Sequence, residues 1–279
     1  MKKIVFLSVS CCLLTVAMMS CKKSVKNALD SHELTPDETT LVVSAGFNGN
    51  WAEKTADGNY LIEGDILLTS SQLKEMAGAG SSHEVIVANE EHYRTTNVVS
   101  TPSSGQRTIT VRLGSGFPSY FSTGLDQALA RYNNLNLKIR FSRVTSGGNI
   151  VITSANLGTT STGGCILGQA SGFPSGGNPA SGFTLSNSSC ALAYLNTANR
   201  ADEVIAHEIG HCIGFRHTDY MNRSSCGQNL NEGSAGIGAV HIPGTPTTVS
   251  GSYNSWMMAC TNNNPAFSSS DATALNYVY

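Results

Sequence analysis

Charge is scarce in this sequence of 279 residues. Only 13% of the residues are Asp, Glu, Lys or Arg, and the formal net charge is −2. No Lys/Arg cluster follows the first residues, so we expect no basic surface that would attract nucleic acid. No internal repeat is present. The 28 glycines stand among many Ser, Thr and Asn, a composition typical of a loop-rich extracellular protein with short strands rather than of a helical bundle.

Long apolar runs are equally scarce. The clearest is Ile4–Met19, which follows a positively charged start and is too short for a stable membrane span, so residues 1–20 are predicted to be a signal peptide. The following Cys21 resembles the acylated cysteine of a bacterial lipobox, although Met18 stands where Leu is usual. We therefore expect an exported protein: an outer-membrane or cell-surface lipoprotein anchored to the membrane through Cys21, or a freely secreted protein with an incidental cysteine. Residues 21–40 read as a polar tether.

Five cysteines remain after the leader and Cys21 are set aside, an odd number that favours two bridges and one leftover thiol in an oxidising compartment. Cys212 lies inside a predicted helix and is expected to be the buried free thiol. Cys165 with Cys190, and Cys226 with Cys260, would then close two loops, although sequence alone leaves the connectivity open.

The chain divides at a Ser/Gly/Pro-rich stretch, residues 100–105, which predicts a pro-segment at 41–105 and a larger domain at 106–279. Alternation of apolar and polar residues, or apolar residues at helical spacing, predicts the following elements. They are strand-like runs at Leu41–Val43 and Tyr60–Leu68, strands at Thr108–Leu113, Leu137–Val144, Ile150–Ile152, Cys165–Gln169 and Phe183–Leu185, and helices at Thr123–Asn133, Ala201–Ile213 and Asp271–Tyr277. Strands with interspersed helices indicate an α+β or mixed α/β domain.

Residues 207–217 read HEIGHCIGFRH. On a helix, His207 and His211 lie one turn apart on the same face, where two imidazoles can bind one Zn²⁺. Gly214 permits a sharp exit from the helix, so His217 can return as a third ligand. Glu208 is placed to accept a proton from water at the metal. Three buried core histidines would be the alternative, but three of the chain's seven histidines fall in this short window.

This motif resembles that of the metzincin clan of zinc endopeptidases. The resemblance implies a twisted mixed sheet with two main helices in an upper subdomain, and a loop-rich lower subdomain that ends in a C-terminal helix. Met257, in the run 255–259 (SWMMA), looks like the clan's methionine turn below the metal, with an ordinary buried Met as the alternative. Residues 217–220 (HTDY) and 274–277 (ALNY) are similar to the M57, HEIGH-type bacterial peptidases.

One position departs from the astacin-like relatives within the clan. They carry a Tyr two residues after the turn methionine, where it helps to stabilise the oxyanion, whereas this chain has Ala259. Tyr220 is the nearest candidate in sequence for an oxyanion partner.

A second resemblance lies in front of the domain. Residues 62–65 (IEGD) are similar to the latency motif of astacin propeptides, in which an aspartate after a glycine occupies the catalytic zinc. Asp65 would then fill the open metal position, and activation would require cleavage between Tyr93 and Gln106. A plain Gly-Asp turn at a strand end is the alternative.

Together these features predict a zinc metalloendopeptidase, made as a zymogen and expected to be monomeric, that cleaves internal bonds of a protein or peptide substrate. The substrate would pair with an edge strand near Cys165–Gln169. The alternative is a surface lipoprotein that uses a metzincin scaffold for binding or adhesion, but a binder needs no general base such as Glu208. A purely structural zinc site is disfavoured because only three protein ligands are predicted.

Overall fold

The computed structural model describes residues 33–78, 92–160, 163–234, 236–247, 254–261 and 266–279. The helices are α1 (Pro36–Ser44), α2 (Ser70–Gly78), α3 (Tyr120–Asn133), α4 (Ser189–Tyr194), α5 (Ala198–Ile213) and α6 (Ser269–Val278). The strands are β1 (Ala52–Lys54), β2 (Tyr60–Ile62), β3 (Ile66–Leu68), β4 (Tyr93–Arg94), β5 (Arg107–Leu113), β6 (Ile139–Val144), β7 (Ile150–Ala155), β8 (Gly168–Ala170), β9 (Gly182–Ser186) and β10 (Val240–His241). The predicted leader and Cys21 lie outside these residues. Across the described ranges, no helix combines the length and the apolar character that a membrane crossing requires.

An eight-stranded mixed sheet organises the chain, with the strand order β1-β2-β3-β8-β9-β7-β5-β6. Strands β6, β5, β7 and β9 run parallel to one another, and β8 is antiparallel to β9. At the far side β3 pairs in parallel with β8, and β2 and β1 continue the sheet antiparallel. The N-terminal segment and the larger domain therefore share one sheet, and β8 lies at the junction.

Helices α3 and α5 pack against each other and cover the main core of the sheet. Their axes come close at Gly124, where an added Cβ would stand 2.8 Å from the Cβ of Ala201. Tyr132 on α3 donates from its hydroxyl to the carbonyl oxygen of Ala206 on α5, 2.7 Å away, and accepts from the indole N–H of Trp256. These contacts fix the helix that carries the HEIGH sequence.

The N-terminal segment, described over residues 33–78, packs in a second, smaller core, where Val42 and Leu73 are buried together with Phe173 and Ile237 of the larger domain. Its first element corrects the sequence prediction: residues 41–43 were expected to be strand-like, but they lie in α1. Thr35 and Glu38 form a reciprocal capping box, and Pro36 follows the cap, so local signals start a helix here. The same helix begins inside the predicted tether at 21–40.

The predicted run Tyr60–Leu68 is in fact two antiparallel strands, β2 and β3, joined by a tight turn at residues 63–65. Glu63 has φ 56° and Gly64 has φ 87°, so both lie in the left-handed region. This turn points Asp65 away from the segment's own core and towards α5.

The predicted α+β fold is confirmed, with its twisted mixed sheet, two long packed helices and a C-terminal helix. The prediction missed α2, α4, β1 and the small β4–β10 pair. Each of these is short, and β4–β10 joins strands that are far apart in the sequence.

Candidate metal centre

Helix α5 positions the first two histidines. His207 and His211 lie one turn apart with ring centroids 4.8 Å from each other, and their Nε2 atoms are 3.1 Å apart. Gly214 ends the helix with φ 107°, a conformation that favours glycine. The chain turns back there, and the ring of His217 lies 4.9 Å from that of His211 and 5.4 Å from that of His207.

The outer nitrogen of each ring is held by an acceptor. Nδ1 of His207 lies 2.8 Å from the carbonyl oxygen of Trp256, and Nδ1 of His211 lies 2.9 Å from that of Phe215. A carbonyl oxygen only accepts, so these two Nδ1 atoms carry the hydrogen and the Nε2 lone pairs face the centre. Such tethering fixes tautomer and ring orientation in metal-binding histidines.

The third ring is held by a carboxylate. Nδ1 of His217 lies 2.8 Å from Oε1 of Glu232, and both residues are fully buried. Burial opposes the charged form of His217, but Asp65 and Glu232 raise its pKa well above 6.5. For His211, burial lowers the pKa to about 4, so this imidazole is neutral at pH 7. Zinc binds only the unprotonated Nε2 atom, so a bound ion would displace the proton that Asp65 and Glu232 favour on His217.

Asp65 enters the same centre from the N-terminal segment. Its Oδ2 lies 2.7 Å from Nε2 of His217, 3.7 Å from that of His207 and 3.8 Å from that of His211. All four donor atoms lie within 4.8 Å of one another. Burial opposes ionisation of Asp65, but the neighbouring rings, above all His217 with its hydrogen bond, hold the pKa of this carboxyl well below 3.8. The residues thus form a compact set of three imidazoles and one carboxylate that fits a tetrahedral Zn²⁺ ion.

Glu208 lies beside this cluster without joining it. The residue is 2% exposed, and its Oε2 has no hydrogen-bond partner among the residues that the structure describes. Burial and the negative charge of Asp65 raise its pKa well above 4.5, against the opposing effect of His217. A Cβ added at Gly168 on β8 would stand 2.1 Å from Oε1 of Glu208. Only a glycine at this position of β8 leaves room for the carboxylate.

Met257 lies under the centre and is buried. A Cβ added at Gly210, between the two helical histidines, would stand 2.3 Å from its sulfur. Met257 also accepts at its carbonyl oxygen from the backbone N–H of Thr218, at 2.7 Å. The methionine loop therefore supports two ring positions: Trp256 binds His207, and Met257 holds the chain directly after His217.

A buried charge cluster surrounds the third histidine, and no sequence pattern predicted it. Glu63 forms an ion pair with Arg216, and Glu232 forms one with Arg223. Arg216 is fully buried and also donates to the carbonyl oxygen of Gly233. These partners come from distant parts of the chain, so no local spacing could have identified them.

Tyr220, the candidate oxyanion partner, is buried away from the open cavity. Its ring packs edge-on against Tyr93 at 4.3 Å and lies under the guanidinium of Arg216 at 5.2 Å. The cavity beside the metal centre measures about 430 Å³ and is bordered by His207, Glu208 and Arg223, whereas Tyr220 is not among its lining residues.

Two disulfides lie next to the cavity. Disulfides join Cys165 to Cys190 and Cys226 to Cys260, while Cys212 is buried and free. Both bridges lie beside the cavity, which Cys165, Cys226 and Cys260 help to line.

Residues 92–100 lie within the larger domain. His92 is buried and its Nε2 lies 2.6 Å from Oδ1 of Asp271, at the start of α6. The carbonyl oxygen of Tyr93 accepts from the backbone N–H of Arg216, two backbone bonds join this stretch to Gly214 and Gly177, and Val99 is buried in the main core. This stretch lies before the predicted boundary at 105 but is packed as part of the domain that follows.

A model of the dual-action HEIGH metallo-peptidase family, M57, matches residues 60–279. Among solved structures, myroilysin is similar over 65% of this chain and 97% of its own, with 20% identity and a TM-score of 0.39. High choriolytic enzyme 1, a hatching enzyme zinc-protease from the medaka fish Oryzias latipes, is similar over 65% and 93%, with 17% identity and a TM-score of 0.37. Among curated proteins, none matches.

Proposed function

The chain belongs to the M57 family of HEIGH metallopeptidases and is a zinc metallopeptidase that acts on protein or peptide substrates, and from this we propose that it is an endopeptidase made as a zymogen. His207, His211 and His217 would hold the zinc, and Glu208 would be the general base. The observation that carries the proposal is the carboxylate of Asp65, seated among the three Nε2 atoms where a substrate would otherwise have access.

Bound zinc supplies a Lewis acid that polarises the scissile carbonyl and lowers the pKa of an attacking water. Glu208 accepts the proton of that water and then delivers it to the leaving amine. Met257 forms an apolar floor that keeps the imidazoles in place.

Latency would come from the N-terminal segment, residues 41–78. Asp65 fills the open metal position, and β3 covers the edge of β8, with Ile66 opposite Ala170 and a 2.7 Å hydrogen bond from the N–H of Ala170 to the carbonyl oxygen of Asp65. Removal of the segment would free both the metal position and this edge. An extended substrate would then pair with β8, next to Glu208.

We infer that activating cleavage falls before His92 rather than between Tyr93 and Gln106. Cleavage after Arg94 would release His92 and Tyr93, which are both buried in the domain that must stay folded. The mature catalytic domain would therefore begin before His92, and not at 106.

Two disulfides fit an extracellular protein. Export through the predicted leader, with an acylated Cys21 as membrane anchor, remains part of the proposal. Mass spectrometry of the mature N-terminus tests both points, because it distinguishes a lipid-bearing Cys21, an ordinary signal cleavage and a start between residues 78 and 92.

The decisive experiment compares the processed protein with its Glu208→Gln variant on casein and a broad peptide library, with and without a chelator. We expect internal cleavage by the wild type alone, abolished by the chelator. An Asp65→Ala variant of the full-length chain opens the metal position while β3 still covers β8, so its zinc occupancy, activity or processing should change. Absence of cleavage by zinc-loaded, processed wild type would instead favour a binding protein, and an Asp65→Ala chain unchanged in zinc occupancy, activity and processing would remove Asp65 from the latency mechanism.

A further inference from the structure

Arg223 borders the same cavity as Glu208 and is bound to the main chain of the N-terminal segment. Its Nη1 donates to the carbonyl oxygen of Glu63 at 2.8 Å. The ring of Trp51 lies 5.6 Å from the guanidinium carbon, and a Cβ added at Gly64 would stand 3.9 Å from Nη2. The guanidinium thus lies along the backbone of the segment that carries Asp65 to the metal centre.

The larger domain holds Arg223 in place without help from the N-terminal segment. Its φ of 48° puts a non-glycine residue in the left-handed region, a conformation that persists only where surrounding contacts enforce it. The backbone N–H of Arg223 donates to the carbonyl oxygen of Asp219, and its own carbonyl accepts from Cys226, which is tied by a disulfide. On the side chain, Nε donates to Gln228 at 3.0 Å, and Nη1 pairs with Glu232.

Removal of the N-terminal segment changes only part of this arrangement. The contacts to Gln228 and Glu232 remain, because both residues belong to the larger domain. The contact to the Glu63 carbonyl and the cover of Trp51 are lost. A fixed guanidinium donor then faces the cavity that also contains Glu208, and an unpaired donor in such a position favours an incoming acceptor.

We propose that Arg223 in the processed enzyme binds a main-chain carbonyl oxygen of the substrate, at the place that the Glu63 carbonyl occupies in the latent chain. This inference rests on the proposed peptidase function. The acceptor is assigned to the main chain because Arg223 contacts a backbone oxygen of Glu63, whereas the side chain of Glu63 pairs with Arg216. Arg223 would align the substrate backbone and be indifferent to the side chain at that position.

The test uses a casein-derived peptide that the processed wild type cleaves. In a series of analogues of this peptide, each amide other than the scissile one is replaced, one at a time, by an (E)-alkene, which keeps the shape of the amide but lacks its carbonyl oxygen. Kinetic constants are measured for processed wild type, Arg223→Met, Arg223→Lys and the control Arg143→Met. Arg143 is a suitable control because it is partly exposed and pairs only with surface groups such as Asp126. Dissociation constants for the same peptides are measured in the Glu208→Gln background, and zinc content is measured for every variant.

We expect one isostere to weaken wild-type binding by about 10- to 100-fold, the range for a hydrogen bond to a charged group. Arg223→Met should bind the parent peptide correspondingly weakly, lose less than about twofold more with that isostere and keep its zinc. Arg223→Lys should recover part of the binding, and Arg143→Met should behave as wild type.

Two results would overturn the inference. In the first, each isostere weakens binding by Arg223→Met as much as it weakens binding by wild type. In the second, Arg223→Met binds all peptides equally weakly and also loses zinc, which would assign Arg223 a structural role through Glu232 and His217. Failure of the peptidase function itself is separately visible, because zinc-loaded, processed wild type would then cleave no casein-derived peptide, and no parent peptide for the series would be found.

Discussion

Replacement of Gly168 by alanine tests whether the position of Glu208 governs the reaction. The added Cβ would stand 2.1 Å from Oε1 and 2.7 Å from Cδ of Glu208. Non-bonded heavy atoms are comfortable only beyond about 3 Å, so the carboxylate must move by roughly 1 Å. The three atoms nearest to this Cβ all belong to Glu208, the proposed general base, whereas the proposed zinc ligands lie on α5 and in the chain after Gly214.

A displacement of roughly 1 Å in a reacting group costs about 10²-fold in rate. We therefore expect the processed Gly168→Ala enzyme to lose about 10²-fold or more in kcat, approaching the loss in Glu208→Gln. Zinc content should stay close to wild type, since the three atoms nearest to the added Cβ all belong to Glu208 and none to a proposed zinc ligand. The overpacked site should also lower the free energy of unfolding by about 1–3 kcal/mol.

The assay is kcat and KM on one peptide, with zinc content and urea unfolding measured on the same preparations. Gly164→Ala is the matched control: Gly164 lines the same cavity, and its added Cβ meets only the Thr160 hydroxyl at 3.3 Å. Full activity of Gly168→Ala with normal zinc content would refute the reasoning, and so would an equal loss in both variants.

Three further changes test the supports of the site. Gly210→Ala should push Met257 away from α5 and weaken zinc binding, which chelator competition measures. An unchanged affinity for zinc would show that Met257 does not support the metal centre. Glu63→Ala in the full-length chain removes the nearer carboxylate of the buried Arg216 and leaves Glu232 at 4.0 Å. The latent form should therefore lose up to about 3–5 kcal/mol in urea unfolding, and a loss below about 1 kcal/mol would contradict the ion pair's importance. Replacement of Cys226 and its partner by serine should lower the stability of the processed enzyme by about 2–4 kcal/mol; an unchanged melting temperature would argue against a stabilising bridge.

The part of the site that sequence predicts is the part encoded by local spacing. His207 and His211 converge because four residues make about one helical turn, and Gly214 permits the reversal that brings in His217. Histidine and glutamate at those positions predict a metal site and a general base without any knowledge of the fold. Strands β5 to β7 and helix α3 could also be predicted from the sequence, because each has a regular apolar face.

The remaining site residues are brought together by tertiary contacts that leave no periodic trace. Glu232 reaches His217 from a loop, and Glu63 reaches Arg216 from another segment altogether. Buried charges at such positions look in the sequence like ordinary surface residues, because most Glu and Arg are exposed. Residues 41–43 were misread for a related reason: a short β-branched run favours a strand, but the capping box and proline before it start a helix.

The glycines show where local motif and distant contact coincide. Gly210 is the fourth letter of HEIGH, and as a helical residue it costs about 1 kcal/mol relative to alanine. The structure supplies the reason for that cost, since any side chain there would collide with Met257. A side chain at Gly168 would likewise collide with Glu208, although Gly168 belongs to no sequence motif. A glycine where the local structure would prefer another residue is therefore a sign of close packing across the fold, and this chain has two such glycines, Gly168 against Glu208 and Gly210 against Met257.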